Sequence, residues 1–288
     1  MVDIKNKLWE KLKQYDADLA VYFVAAIFIA SGILIAIYMQ VVNRSLNLDE
    51  SSLAYTICTR TLGELTSRLP DRNQSAPIVY FYLVKILTLI FGTGERILRL
   101  PSVLSYIVTL YLVWYFSKKA AGIRLPVMAS ALTAGNMVML KYSDSFKPYA
   151  MDCVCVLMVL ITAYLYENEK IKAPIRMIIF MFLIWCSNPS CFFIGGILTY
   201  ELLELLIKNK LYRLKWWLIT MAGIGVSFVT YYMYWLRITA NGEHMQNFWE
   251  GYNWPFIPTG ISDIKKMHDL VWFMMRDMGS PWRIAILI

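Results

Sequence analysis

From position 19 to 42 the chain carries no charged residue. As a helix this run would be about 36 Å long, more than the ~30 Å hydrocarbon core of a bilayer. No soluble fold exposes such a segment, so the chain must be read as one that crosses a membrane. Lys5, Lys7, Lys11 and Lys13 precede the run. Basic residues favour the cytoplasmic side, so residues 1–18 are expected there, and Asn43 is expected to emerge outside. The run is too long for a signal-peptide core and no small-residue cleavage site follows, which makes it a signal anchor.

The rest of the chain repeats this theme. Apolar residues make up 58% and charged residues 17%. A soluble domain carries roughly a quarter charged residues. Further apolar runs at 101–116, 125–140, 148–166, 175–186, 191–207 and 216–236 give about seven transmembrane helices. The net charge of +8 comes from short basic clusters between these runs: Lys118, Lys119 and Arg124; Lys170, Lys172 and Arg176; Lys208, Lys210, Arg213 and Lys215. These fit loops on the cytoplasmic side, not a nucleic-acid-binding face. The five cysteines are odd in number and have no metal spacing, so they read as small apolar residues. His244 and His268 are isolated and suggest no metal site. No internal repeat is visible.

Two segments of the outer loop 43–100 behave differently. Residues 49–68 have helical periodicity: Leu53, Ala54, Ile57, Cys58, Leu62 and Leu65 fall on one face, and Glu50, Tyr55, Thr59, Arg60, Glu64 and Arg68 mostly on the other. Such a helix lies in the membrane interface. Residues 77–91 are apolar but span only about 22 Å, with Lys85 in the middle. If they crossed the membrane, every later basic cluster would fall outside, so they too are expected in the interface. The fold class is therefore all-α: a polytopic module over 19–236 with two interfacial helices after the first span. Residues 237–280 form an outer, aromatic-rich segment, and 281–288 read as the start of a further, truncated span. The sequons Asn43-Arg44-Ser45 and Asn73-Gln74-Ser75 fall on the outer side.

Under this topology three polar groups share the outer face. One is Asp49 with Glu50. The second lies in 141–152 and contains Asp144, Lys147, Tyr149 and Asp152. The third is Lys85, Arg96 and Arg99. Cations at a membrane surface hold a lipid phosphate, and a carboxylate takes the proton of an acceptor nucleophile. Bland roles compete. Asp49 would also serve as a helix cap; Lys147, Tyr149 and Lys85 would also serve as snorkelling residues. Asp152 lies in the first turn of an apolar span, where an ionisable group points to function.

These residues resemble a known family. Leu48-Asp49-Glu50 before an amphipathic helix is similar to the acidic first-loop motif of GT-C glycosyltransferases, which include protein O-mannosyltransferases and the aminoarabinose transferase of lipid A. Ser75-Ala76-Pro77 through Phe91-Gly92 to Arg99-Leu100-Pro101-Ser102 is similar to the next block. Tyr142-Ser143 through Lys147-Pro148-Tyr149 looks like its Tyr-Ser-x-Glu-Ala-Arg-Pro-Tyr block, with Ser145 in place of Glu and Lys147 in place of Arg. The blocks occur in family order. The resemblance implies a polyprenyl-phosphate-linked sugar donor used from the non-cytoplasmic side. No cofactor is required by these residues, although the carboxylates could hold a divalent metal ion. The resemblance also implies that Asp49, with Glu50 next in line, activates the acceptor. Lys147, Arg99, Lys85 and Tyr149 would hold the donor phosphate, and Asp152 or Asp144 would position the acceptor, a lipid, glycan or protein. Two rivals remain at this stage: a transporter or flippase, and an inactive subunit that binds a partner.

Overall fold

The computed structural model describes residues 2–66, 74, 76–120, 124–209, 211–240 and 260–278. Expectations for Asn73 and Ser75, His244, the aromatic stretch 249–255 and residues 281–288 lie outside these. All secondary structure among the described residues is helical. Helix α1 runs Val2–Val42, α2 Leu48–Thr59, α3 Ile78–Phe91, α4 Glu95–Ala120, α5 Arg124–Ala134 and α6 Met137–Ser143. Then follow α7 Tyr149–Glu167, α8 Ala173–Cys186, α9 Asn188–Ile207, α10 Leu214–Tyr231, α11 Arg237–Ala240 and α12 Ile261–Met278. A π-helical stretch, Tyr232–Leu236, extends α10.

Five of these segments are long and apolar enough to cross a membrane: Leu19–Val42, Glu95–Lys119, Tyr149–Glu167, Asn188–Ile207 and Leu214–Leu236. Leu125–Ala134, Ala173–Cys186 and Ile78–Phe91 are apolar but shorter. The protein is thus an all-α, polytopic integral membrane protein. Its large exposed side chains, such as Phe23, Leu34, Phe182, Phe192 and Val226, face outward as lipid-facing residues do.

Several boundaries differ from the sequence reading. The expected helix over 49–68 stops at Thr59, because Arg60 adopts an extended conformation. The run 125–140 is two helices, broken at Gly135 and restarted by Asn136, whose side chain accepts from the amides of Val138 and Met139. Pro101 does not begin a span. It sits inside α4, in the second turn, where it removes one i→i−4 hydrogen bond. Arg96 and Arg99 are therefore helical residues, not loop residues.

Two apolar cores hold the bundle. In the smaller, Ala36, Tyr106, Leu110, Ala134 and Leu140 join α1, α4, α5 and α6. The Tyr106 hydroxyl donates to Ala134 O at 2.9 Å. Gly32 of α1 abuts that contact, and any Cβ there would collide with Tyr106 and Ala134. In the larger, Leu53 and Ile57 of α2 join Tyr80, Phe81 and Val84 of α3, Phe146, Phe180 and Trp235. Trp235 packs edge-on against Phe81 and donates to Ala76 O at 2.9 Å. Helix α3 spans about 21 Å and ends at Gly92, whose φ of 91° favours glycine. Helices α2 and α3 are so fastened across one end of the bundle. Helix α3 also touches α4 and α8, and Glu50 of α2 is hydrogen-bonded to Arg44, just past α1, and to Phe146, just before α7.

Candidate functional site

At this end the chain leaves α1 through Asn43, in the left-handed conformation, and restarts as α2 at Leu48. Asn47 caps α2. Its side chain accepts from Glu50 N at 2.8 Å, and the Glu50 carboxylate accepts from Asn47 N at 3.0 Å. This reciprocal capping box satisfies two helix-end donors at once. Asp49 is therefore not the cap. Glu50 does not begin a polar face either: its side chain is 0% exposed.

Burial of Glu50 is possible because every lone pair finds a donor. Arg44 Nη1 and Nη2 donate to its two oxygens at 2.9 and 2.7 Å. Phe146 N, 96 residues away, donates at 2.8 Å. With Asn47 N, these fill the roughly four acceptor sites of a carboxylate. Burial alone would raise the Glu50 pKa; the Arg44 guanidinium and the amides of Asn47 and Phe146 outweigh it and hold the carboxyl below its ordinary value. Arg44 is equally committed. Its Nε donates to Asp144 Oδ2 at 2.8 Å, and its remaining N–H groups reach Ser45 O at 3.1 Å and Asp144 O at 2.9 Å. All five guanidinium donors are used. The hydrogen bond to Glu50 outweighs burial and raises its pKa above the ordinary value. Arg44, Glu50 and Asp144 thus tie the end of α1, the start of α2 and the α6–α7 connection into one closed node.

Arg99, fully buried in α4, stands behind this node. Its Nη2 lies 3.9 Å from Glu50, too far for a hydrogen bond, and its three side-chain nitrogens lack hydrogen-bond partners. Asp144 Oδ1 is likewise without one. Ser102 Oγ donates to Ser145 O at 2.5 Å, which fixes the loop that carries Asp144, Ser145 and Phe146.

Asp49 has a different environment. One position earlier on α2, its side chain is 63% exposed. Lys147 Nζ lies 3.8 Å away, and Gln74 Nε2 donates to its carboxylate at 3.3 Å. Lys147 donates to Gln74 Oε1 at 2.6 Å. Its burial lowers its pKa below the ordinary value, partly offset by Asp49 and Glu50. Tyr149 follows, stacked edge-on against Tyr142 with ring centres 4.8 Å apart. Asp49, Lys147 and Tyr149 therefore share one open, partly solvated rim.

Asp152 lies deeper, in the first turn of α7, where it faces Ser187. Its Oδ1, the hydroxyls of Ser187 and Ser190, and the Tyr80 hydroxyl are buried without hydrogen-bond partners. Nearby, the Tyr231 hydroxyl donates to Asn188 Oδ1 at 2.7 Å. Lys85 is in neither group. It is buried and donates to Ile57 O at 2.9 Å, so it does not snorkel; it closes the last turn of α2. Among the described residues no cluster of three or more His, Cys, Asp or Glu side chains is arranged to hold a metal ion.

Arg44, Asn47 and Gln74 escaped the sequence reading. The Asn-x-x-Glu spacing of Asn47 and Glu50 is a legible capping-box signal. Arg44 left a weaker one, a lone cation directly after an uncharged span. Nothing in the sequence marks Gln74.

No curated protein and no solved structure matches the chain. A family model does match, over residues 75–187, less than half of the chain; it takes in Lys85, Arg99, Asp144, Lys147, Tyr149 and Asp152 but begins beyond Asp49. Over this segment the chain is similar to the family described as dolichyl-phosphate-mannose-protein mannosyltransferase.

Proposed function

We propose that the protein transfers a sugar from a polyprenyl-phosphate-linked donor to an acceptor on the non-cytoplasmic face of its membrane. The observation that carries this reading is the exposed Asp49 beside Lys147, at the rim of a domain that matches a polyprenyl-phosphate-dependent family. A base must have a free lone pair, and Asp49 has one where Glu50 has none.

In the proposed reaction, Asp49 accepts the proton of an acceptor hydroxyl or amine. The freed lone pair attacks the anomeric carbon, the bond from that carbon to the phosphate oxygen breaks, and the lipid phosphate departs with the electron pair. Lys147 stabilises the charge that builds on that phosphate. Tyr149 borders the same rim. Attack opposite the leaving group inverts the anomeric centre. Asp152, with Ser187 beside it, positions the acceptor. Arg99, Glu50 and Asp144 act through the geometry they impose, because they are buried behind the rim.

The test is transfer of a labelled sugar from a polyprenyl phosphate in membranes that contain the full chain or its Asp49→Asn variant. Turnover by the wild type and loss in the variant is the expected result. Full activity in Asp49→Asn would remove this residue from the base role.

A further inference from the structure

A second site lies at the opposite end of the bundle from Asp49. The last turns of α4, α7 and α9 and the first turns of α8 and α10 enclose a cavity of about 270 Å³. Its wall includes Arg176, whose side chain is fully buried. Arg176 Nη1 pairs with Glu201, and the guanidinium stacks 3.7 Å from the centre of the Tyr166 ring. Its Nε and Nη2 have no hydrogen-bond partner. Burying guanidinium N–H groups without acceptors is costly, so this arrangement calls for an anionic oxygen from a ligand. Arg213, on the same wall, offers a second cation, held 3.2 Å from Glu169.

The cavity is not simply basic. Glu167, Glu201 and Glu204 also line it. Glu201 is taken by Arg176 and Glu204 by Lys208 at 2.8 Å. Glu167 is exposed and makes no salt bridge among the described residues. Tyr200 and Trp217 also line the cavity, and Leu160 and Ile197 supply an apolar wall. A purely anionic ligand would meet these carboxylates unfavourably. A zwitterion meets both demands. Glu167, left without a salt bridge among the described residues, offers acceptor oxygens that a primary ammonium can meet with N–H donors and a quaternary one cannot, which favours the primary ammonium. The volume lies just below the usual range of ligand pockets and suits a headgroup with its chains left in the bilayer.

We propose that this cavity binds a membrane phospholipid with a phosphoethanolamine headgroup, the phosphodiester on Arg176 and Arg213 and the ammonium on Glu167. The site is independent of sugar transfer, and its test needs no turnover. The full-length protein is reconstituted in bilayers holding equal parts of phosphatidylethanolamine, phosphatidylcholine and phosphatidylglycerol. It is then extracted, and the retained lipid is measured by mass spectrometry. Retained phosphatidylethanolamine should exceed each of the others by about fivefold, the scale of one partly exposed ion pair. The exposed Glu167→Gln substitution, which disturbs no buried contact, should remove that preference, and millimolar inorganic phosphate should not displace the lipid. Equal retention of the three lipids, an unchanged preference in Glu167→Gln, or displacement by inorganic phosphate would each overturn the proposal.

Discussion

Two neighbouring regions at one end of the bundle hold charge for opposite purposes. At Glu50 itself every acceptor is filled: Arg44 uses all its N–H groups and the carboxylate is encircled. Around Asp49 the contacts are longer and water has access. The residues are adjacent in sequence, yet successive helical positions diverge by about 100°. That rotation turns Glu50 into the bundle and Asp49 out of it. A charge that is fully coordinated can hold chain segments together but cannot exchange a proton at little cost. A charge left half-coordinated does the reverse.

The comparison breaks or sharpens most decisively at Asp49. Asp49→Asn should lower sugar transfer by about 10²- to 10⁴-fold, the range for a lost general base. Its unfolding free energy should change by no more than about 0.5 kcal/mol, as is usual for exposed sites. Glu50→Gln should do its damage to the fold. It removes the carboxylate that faces both Arg44 and Arg99, leaving Asp144 as the remaining partner of Arg44, and costs about 3 kcal/mol, the low end for a broken buried pair because Arg44 is itself 38% exposed. Thermal unfolding in detergent measures both. A stable but inactive Glu50→Gln beside an active Asp49→Asn would exchange the two roles.

Lys85 gives a smaller test with a cleaner separation. Lys85→Met keeps most of the volume but strips the donor from Ile57 O, at a cost of about 1–2 kcal/mol. Sugar transfer per folded molecule should stay at the wild-type level; a selective rise in KM for the donor would bring Lys85 back to the phosphate. The same residue shows where the sequence stops being informative. Apolar runs announce spans because bilayer thickness fixes their length, so the all-α membrane fold was legible, and so was Asp49 as a carboxylate at a helix mouth. Lys85 is different. Its position in an apolar run suggested the surface, but its partner is a backbone carbonyl 28 residues away, and carbonyls leave no trace in a sequence. Glu50 misled for the same reason. Its burial depends on Arg44 and on an amide at Phe146, and only folding brings that loop to it. The break at Gly135 was missed because the apolar pattern continues straight through it, while Asn136 restarts the helix by capping.

The gentlest probe of the comparison is pH. The Glu50 carboxyl is held below its ordinary value of 4.5. A group whose folded pKa is depressed contributes stability that is fully present above the unfolded value and lost as pH falls through the folded one. Stability from the Arg44–Glu50 node should therefore be constant from about pH 7 down to about pH 5 and decline below about pH 4.5. In Glu50→Gln this acid-side decline should flatten, because the titrating group is gone. Melting curves of the wild type and this variant across the range would test the node without any substrate. An unchanged decline in Glu50→Gln would mean that the acid-side stability is held elsewhere than in the Arg44–Glu50 node.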